Sequence, residues 1–228
     1  MSMPSSELAY EDTWVYKIIR TFPDIEFIDK CRRSSSATRL VTEGQNGKGY
    51  DLLEQYTPDF VITHFGITDS YPRLLKRNSL TTRLINRLPR FISNFIYNIV
   101  RKTKGRTLSC SDLSPSEFHK YFAQYCKRAE NLGIHVFCVK IAYCNDIVLR
   151  KSPKVTEAVD IYNQVFDRLE REFSNVTIIT PLPLDLDLNN YDILQSDGIH
   201  LTAKGSDLVF QNILNAVTCF LKEQKAKK

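Results

Sequence analysis

Apolar positions along the chain change their spacing several times, and those changes divide it into elements. Residues 25–31, 60–65, 134–141 and 176–180 are short, near-continuous runs of β-branched and aromatic side chains, the pattern of strands buried on both faces of a sheet. Residues 13–21, 116–132, 155–173 and 203–221 instead carry apolar side chains at helical spacing. Ser114-Pro115-Ser116-Glu117 supplies a cap and an early proline for the second of these helices, and Gly133 closes it ahead of the next strand. Strands alternating with helices of this length predict a parallel sheet with helices on both faces, a three-layer α/β/α domain.

One stretch departs from this rhythm. Leu80, Leu84, Ile85 and Leu88, then Phe91, Ile92, Phe95, Ile96, Ile99 and Val100, recur near helical spacing on either side of Pro89, which predicts two short helices or one kinked helix. The same stretch has no acidic residue between Asp69 and Asp112 and carries ten basic ones from Arg73 to Arg106. The net charge is +5, but the rest of the chain holds 21 basic and 26 acidic residues, so residues 73–106 form a basic insertion in a mildly acidic globule. Two roles are open to it: a helical cap packed over the sheet edge or the mouth of a site, and a contact with an anionic membrane surface or acidic partner. No nucleic-acid motif accompanies the charge, and no nucleic-acid partner is expected.

At 228 residues and 43% hydrophobic composition, the chain is expected to form one domain spanning residues 1–228. No apolar run approaches the roughly 18–20 residues that span a bilayer, and Pro4, Glu7, Glu11 and Asp12 stand where a signal peptide would be basic and apolar, so a cytoplasmic protein is expected. The six cysteines are scattered without paired spacing and read as buried free thiols; neither a metal nor a cofactor is expected. His64 and His135 read as sheet residues with satisfied rings, and His119 as an exposed helical residue.

Candidate chemistry sits near the end of the chain. In Ser196-Asp197-Gly198-Ile199-His200, just before the last helix, a carboxylate and an imidazole three residues apart can face each other, the Asp holding one ring nitrogen while the other addresses a nucleophile. Two further polar segments follow predicted strands, Arg32-Arg33-Ser34-Ser35-Ser36-Ala37-Thr38 and Gly66-Ile67-Thr68-Asp69-Ser70-Tyr71-Pro72-Arg73. A parallel α/β sheet gathers its site outside the carboxyl ends of its strands, which brings these loops to one edge.

The order of these blocks resembles the SGNH (GDSL-type) hydrolases, a superfamily of esterases, lipases, deacetylases and some acyltransferases on a flavodoxin-like sheet. Asp197 and His200 fall on its D-x-x-H, with Leu201, Thr202 and Gly205 fitting the helix that follows. Gly66-Ile67-Thr68-Asp69 resembles its G-x-N-D with Thr68 in place of the asparagine, and Ser34 stands near the glycine of another block. Tyr162-Asn163 and the run Tyr10-Glu11-Asp12-Thr13-Trp14 resemble a bacterial subgroup associated with surface-polysaccharide loci. The resemblance implies a serine activated by His200, an imidazole oriented by Asp197, and an oxyanion held by donors near Ser34, Gly66 and Thr68. Asp69 suits a cap or loop acceptor better than a catalytic acid, Thr68 and Ser34 are open to capping or turn roles, and Arg73 is a candidate for an anionic or sugar substrate at the rim.

The family's first strand and its G-D-S turn have no counterpart here, because Met1-Ser2-Met3-Pro4 resembles the segment just after that serine. Ser2 is the N-terminal serine nearest the expected place. The expectation is therefore an SGNH-like ester hydrolase acting on a small-molecule or glycan acyl ester, incomplete at its nucleophile block. The alternative is a non-catalytic relative that keeps the fold and binds a membrane surface or acidic partner. A nucleotide-binding flavodoxin-like protein is disfavoured, since no glycine-rich phosphate loop follows any strand.

Overall fold

The computed structural model describes residues 3–44, 47–73, 75–76, 79–104, 110–189 and 192–226, with backbone only at 101–104. In chain order its elements are α1 (Trp14–Thr21), the single turn α2 (Arg39–Thr42), β1 (Phe60–Thr63), the single turn α3 (Ile67–Ser70), α4 (Leu80–Arg87), α5 (Arg90–Lys104), α6 (Pro115–Asn131), β2 (His135–Val139), α7 (Asp146–Lys151), α8 (Val155–Glu172), β3 (Val176–Ile179) and α9 (Ala203–Ala226), with 3-10 turns at Tyr10–Asp12 and Tyr50–Leu52. The three strands form one parallel sheet in the order β1-β2-β3, with Phe60 opposite His135 and Val136 opposite Val176.

Alternation along β2 divides the core into two layers. Val136 and Cys138 enter a cluster with Phe118, Phe122 and Phe166 of α6 and α8, while Phe137 and Val139 enter another with Trp14 and Ile18 of α1 and Val209 and Ile213 of α9. This is the three-layer arrangement expected, and it explains why the strand runs are apolar without interruption. The long helices also start as their sequences specify. Thr13 accepts the Tyr16 N–H at the start of α1, and Ser114 and Glu117 form a capping box ahead of α6. Two residues of the subgroup-like motifs tie α8 to the sheet side. Tyr162 donates its hydroxyl to the Leu113 carbonyl, and buried Asn163 accepts from Ile141 N–H at 2.9 Å and donates to the Ile141 carbonyl at 3.0 Å.

Three expectations fail. Residues 25–31 form no strand, because no ladder joins them to β1 and an open cavity lies between the two. A run of β-branched and aromatic residues becomes a strand only when a neighbour takes up its backbone groups. The helices of the basic insertion split at Pro89 as the pattern predicts, but among the described residues they do not pack as a cap: α4 and α5 pack mainly on each other, leaving Leu80 76%, Leu84 62%, Phe91 74% and Phe95 65% exposed. At the base of this hairpin Arg73 and Cys110 exchange both backbone hydrogen bonds at 2.8 Å, which brings the two ends of the excursion together. The histidines also differ in part. His135 is satisfied by Thr177 at 3.0 Å, but His119 is half-buried beside Glu172 at 2.7 Å, and the buried His64 Nδ1 has no partner among the described residues. All six cysteines are free thiols; Cys126, Cys138 and Cys144 are buried, Cys31 and Cys110 partly so, and Cys219 is exposed.

Replacing Asn163 by Ala deletes both hydrogen bonds to Ile141 and leaves that buried backbone unpaired, so stability should fall by about 2–3 kcal/mol. A lower urea midpoint at unchanged slope would record it.

Candidate active site

Asp197 and His200 occupy a tight turn closed by an isolated antiparallel bridge between Leu194 and Leu201. Gln195 braces the turn: its backbone N–H donates to the His200 carbonyl at 2.7 Å and its side-chain amide to the Leu201 carbonyl at 2.6 Å. Gly198, at φ +75°, is required by its surroundings, since a Cβ there would lie 2.1 Å from Asn145 Oδ1. Within this frame Asp197 Oδ1 accepts from the backbone N–H groups of Ile199 and His200, both at 2.9 Å, and Oδ2 meets His200 Nδ1 at 2.5 Å. Burial works against the Asp197 charge, but hydrogen bonds from the His200 backbone and imidazole and from the Ile199 N–H outweigh it, holding the carboxyl below its ordinary range. Both side chains are about half exposed, and no hydroxyl or thiol is hydrogen-bonded to His200 Nε2 among the described residues.

The other two polar loops meet at Asp69. This fully buried residue, on α3, accepts the Ala37 N–H through Oδ2 at 2.8 Å, while its carbonyl accepts from Asp112 N–H at 3.0 Å. The Ser34–Thr38 loop is thus clamped to the loop after β1. Ser34 itself has φ +55°, a conformation that favours glycine. Gly66 needs its missing side chain too, with φ +118° and a Cβ position 2.6 Å from Ile141 Cδ1. Thr68 is half-buried on α3. Arg73 stands in an ion pair, its Nε 3.0 Å from Asp112 Oδ2.

A strap at the amino-terminal end joins these loops to the Asp197 turn. Arg33 Nη2 donates to the Pro4 carbonyl at 2.6 Å, Ser5 Oγ donates to Gln195 Oε1 at 3.0 Å, and Glu7 accepts the Ser196 hydroxyl at 2.8 Å. Ser2 lies outside the described residues. Sequence reasoning missed Gln195, Glu7 and Asn145, whose roles come from contacts distant in sequence. It also missed Cys144 near Asp197, where burial, with the Asp197 charge adding to it, pushes the thiol up to about 12, leaving it a neutral and poor nucleophile.

The overall fold has counterparts among solved structures. The psychrotrophic esterase EstA from Pseudoalteromonas sp. aligns over 94% of this chain and 91% of its own at 13% identity and a TM-score of 0.57. The acetylxylan esterase Axe2 from Geobacillus stearothermophilus aligns over 89% and 80% at 12% identity and 0.58, and LAE5, an alpha/beta hydrolase enzyme from the metagenome of Lake Arreo, over 96% and 87% at 14% and 0.60. The chain has the SGNH hydrolase fold. No family model and no curated protein matches it by sequence. The Asp197–His200 turn lies just ahead of α9 in the chain.

Burial pushes the Asp69 carboxyl up to about 6, against the hydrogen bonds from Ser36 and Ala37 that favour its charge. A carboxyl raised on folding binds its proton more tightly in the native state. Its contribution to stability is therefore full at low pH and lost as pH rises from about 4 to about 6, by on the order of 3 kcal/mol. Asp69→Asn keeps an acceptor for Ala37 and should remove that loss. Urea midpoints of both proteins at pH 4.5 and 7.5 check this as a difference, because carboxyls held low by their arginine partners, Glu43 and Glu54, give the opposite slope.

Proposed function

We propose that the protein is a serine-type ester hydrolase or acyltransferase acting on O-acylated carbohydrate, with His200 as general base and Asp197 holding its imidazole. The observation that carries this reading is the 2.5 Å contact of Asp197 Oδ2 with His200 Nδ1, which fixes the proton on Nδ1 and leaves Nε2 to take one from a serine hydroxyl. Attack on the ester carbonyl forms a tetrahedral oxyanion, for which backbone N–H groups near Ser34 and the Thr68 hydroxyl are the donors available. His200 then returns the proton to the leaving alcohol, and water or a sugar hydroxyl takes the acyl group from the serine. Ser2 is the candidate nucleophile in this sequence. The carbohydrate substrate is supported by the likeness to the acetylxylan esterase and by the subgroup resemblance of Tyr10–Trp14 and Tyr162–Asn163.

Assayed on p-nitrophenyl acetate, His200→Ala should lower kcat/KM by about 10³-fold or more, and Asp197→Asn by a comparable factor, with folding retained. Ser2→Ala should abolish the turnover that Ser2 carries. Turnover indifferent to His200→Ala would refute the reading in favour of the non-catalytic binding protein.

The basic hairpin supports a second role, contact with an anionic membrane surface. Leu80, Leu84, Phe91 and Phe95 present apolar side chains to solvent within a segment that holds no acidic residue. Among the described residues no helix is long and apolar enough to cross a membrane, so the contact would be interfacial. Sedimentation with phosphatidylserine-containing vesicles should exceed that with neutral vesicles, weaken between low and physiological salt, and drop on Phe91→Ser/Phe95→Ser substitution. Equal sedimentation with both vesicle types would remove the electrostatic role.

A further inference from the structure

The two helices of the basic hairpin are turned inside out. Leu80, Leu84 and Leu88 follow one another at four-residue intervals along α4 and into its end, and Phe91, Phe95 and Ile99 do the same on α5, so each helix gathers large apolar side chains on one stripe. All six are exposed, whereas the residues withdrawn from water are Thr82, Ile85 and Ser93. Water favours the opposite arrangement, with leucine and phenylalanine between the helices and hydroxyls outside. A membrane surface with anionic headgroups favours this one. The stripes can enter the acyl region while Arg83, Arg87 and Arg90, all exposed, extend to the phosphates.

The root of the hairpin is also the root of a site loop. Ser70 ends α3, and Arg73 stands three residues on, a reach of no more than about 11 Å. Arg73 Nε lies 3.0 Å from Asp112 Oδ2, and the Asp112 N–H donates to the Asp69 carbonyl at 3.0 Å, so the chain entering the hairpin and the chain leaving it are both fixed to α3. The start of α4 is fixed to the entering chain in turn, since the Thr82 hydroxyl donates to the Lys76 carbonyl at 2.8 Å. Between α3 and Arg73, the half-buried Tyr71 packs in the same apolar cluster as Cys144 and Ile199, and Ile199 belongs to the Asp197–His200 turn.

We propose that the substrate of this site is itself membrane-borne, an O-acylated sugar carried on lipid chains in an anionic bilayer surface. This rests on the ester hydrolase reading and narrows its substrate to esters that a lipid anchor holds at the level of the headgroups. A hairpin seated in the interface carries its root to that level, and with it the loop from Gly66 to Arg73. The first contact, stripe with membrane, then makes the second one, ester with the Asp197–His200 turn, an encounter within a single surface, which raises the effective concentration of the ester. A sugar ester in bulk water gains nothing from the stripes.

The test presents one acetylated sugar in two settings: octadecyl tetra-O-acetylglucoside in phosphatidylserine-containing vesicles, and methyl tetra-O-acetylglucoside in solution. Acetate release from the vesicle-borne ester should be at least about tenfold faster in kcat/KM. That advantage should disappear on neutral vesicles, and on Leu84→Ser/Phe95→Ser substitution with the melting temperature unchanged. Equal rates for the two esters would overturn the proposal. A second readout needs no turnover. The His200→Ala protein should sediment with phosphatidylserine vesicles carrying the acetylated glycoside at a lipid concentration about threefold lower than with bare ones. That preference with no acetate released by the unsubstituted chain would support the membrane-borne ligand and overturn the ester hydrolase reading; neither preference nor release would overturn both.

Discussion

The backbone of β2 must be paired on both edges and covered on both faces, and most of the molecule is arranged to meet that demand. β1 and β3 take up its hydrogen bonds, α6 and α8 cover Val136 and Cys138, and α1 and α9 cover Phe137 and Val139. A parallel strand gains nothing from water on either side, so each neighbour inherits the same requirement one position further out. β1 meets it on one edge alone. Its other edge faces the cavity, and the apolar residues 25–31 stand across that gap without a ladder.

The Asp197–His200 turn depends on the same architecture at one remove. Its dyad is local, held by backbone donors within the turn, yet the turn is placed by Asn145 after β2, by Gln195, and by the strap from Pro4 to Glu7. Asp69 performs the corresponding task for the opposing loop. It keeps a buried carboxyl next to the Ala37 N–H and accepts a raised pKa as the cost of that clamp. The exposed imidazole is thus framed by backbone that hydrogen bonds hold in place.

What the sequence made legible follows the range of each interaction. The four long helices and β2 and β3 were readable because their apolar spacing reports both faces of one element at once. The Asp197–His200 pair was readable because its partners are three residues apart. Residues 25–31 misled, since strand-forming side chains state a preference that only a neighbour can satisfy. Asp69 could be read as a loop acceptor, but its partner Ala37 is 32 residues away and carries no signal of the pairing. The hairpin was legible as two helices broken at Pro89, while its exposure was not, because an amphipathic pattern shows that a face is apolar without showing what covers it.

The hairpin's base carries a consequence of its own. Arg73 and Cys110 exchange paired backbone hydrogen bonds, so the strands of chain that enter and leave the excursion are held side by side. An element attached in this way is modular: a short turn could replace it with little rearrangement of the sheet, and its length and charge could drift without disturbing the residues around His200. The hairpin and the sheet would then be free to change on separate schedules within one chain.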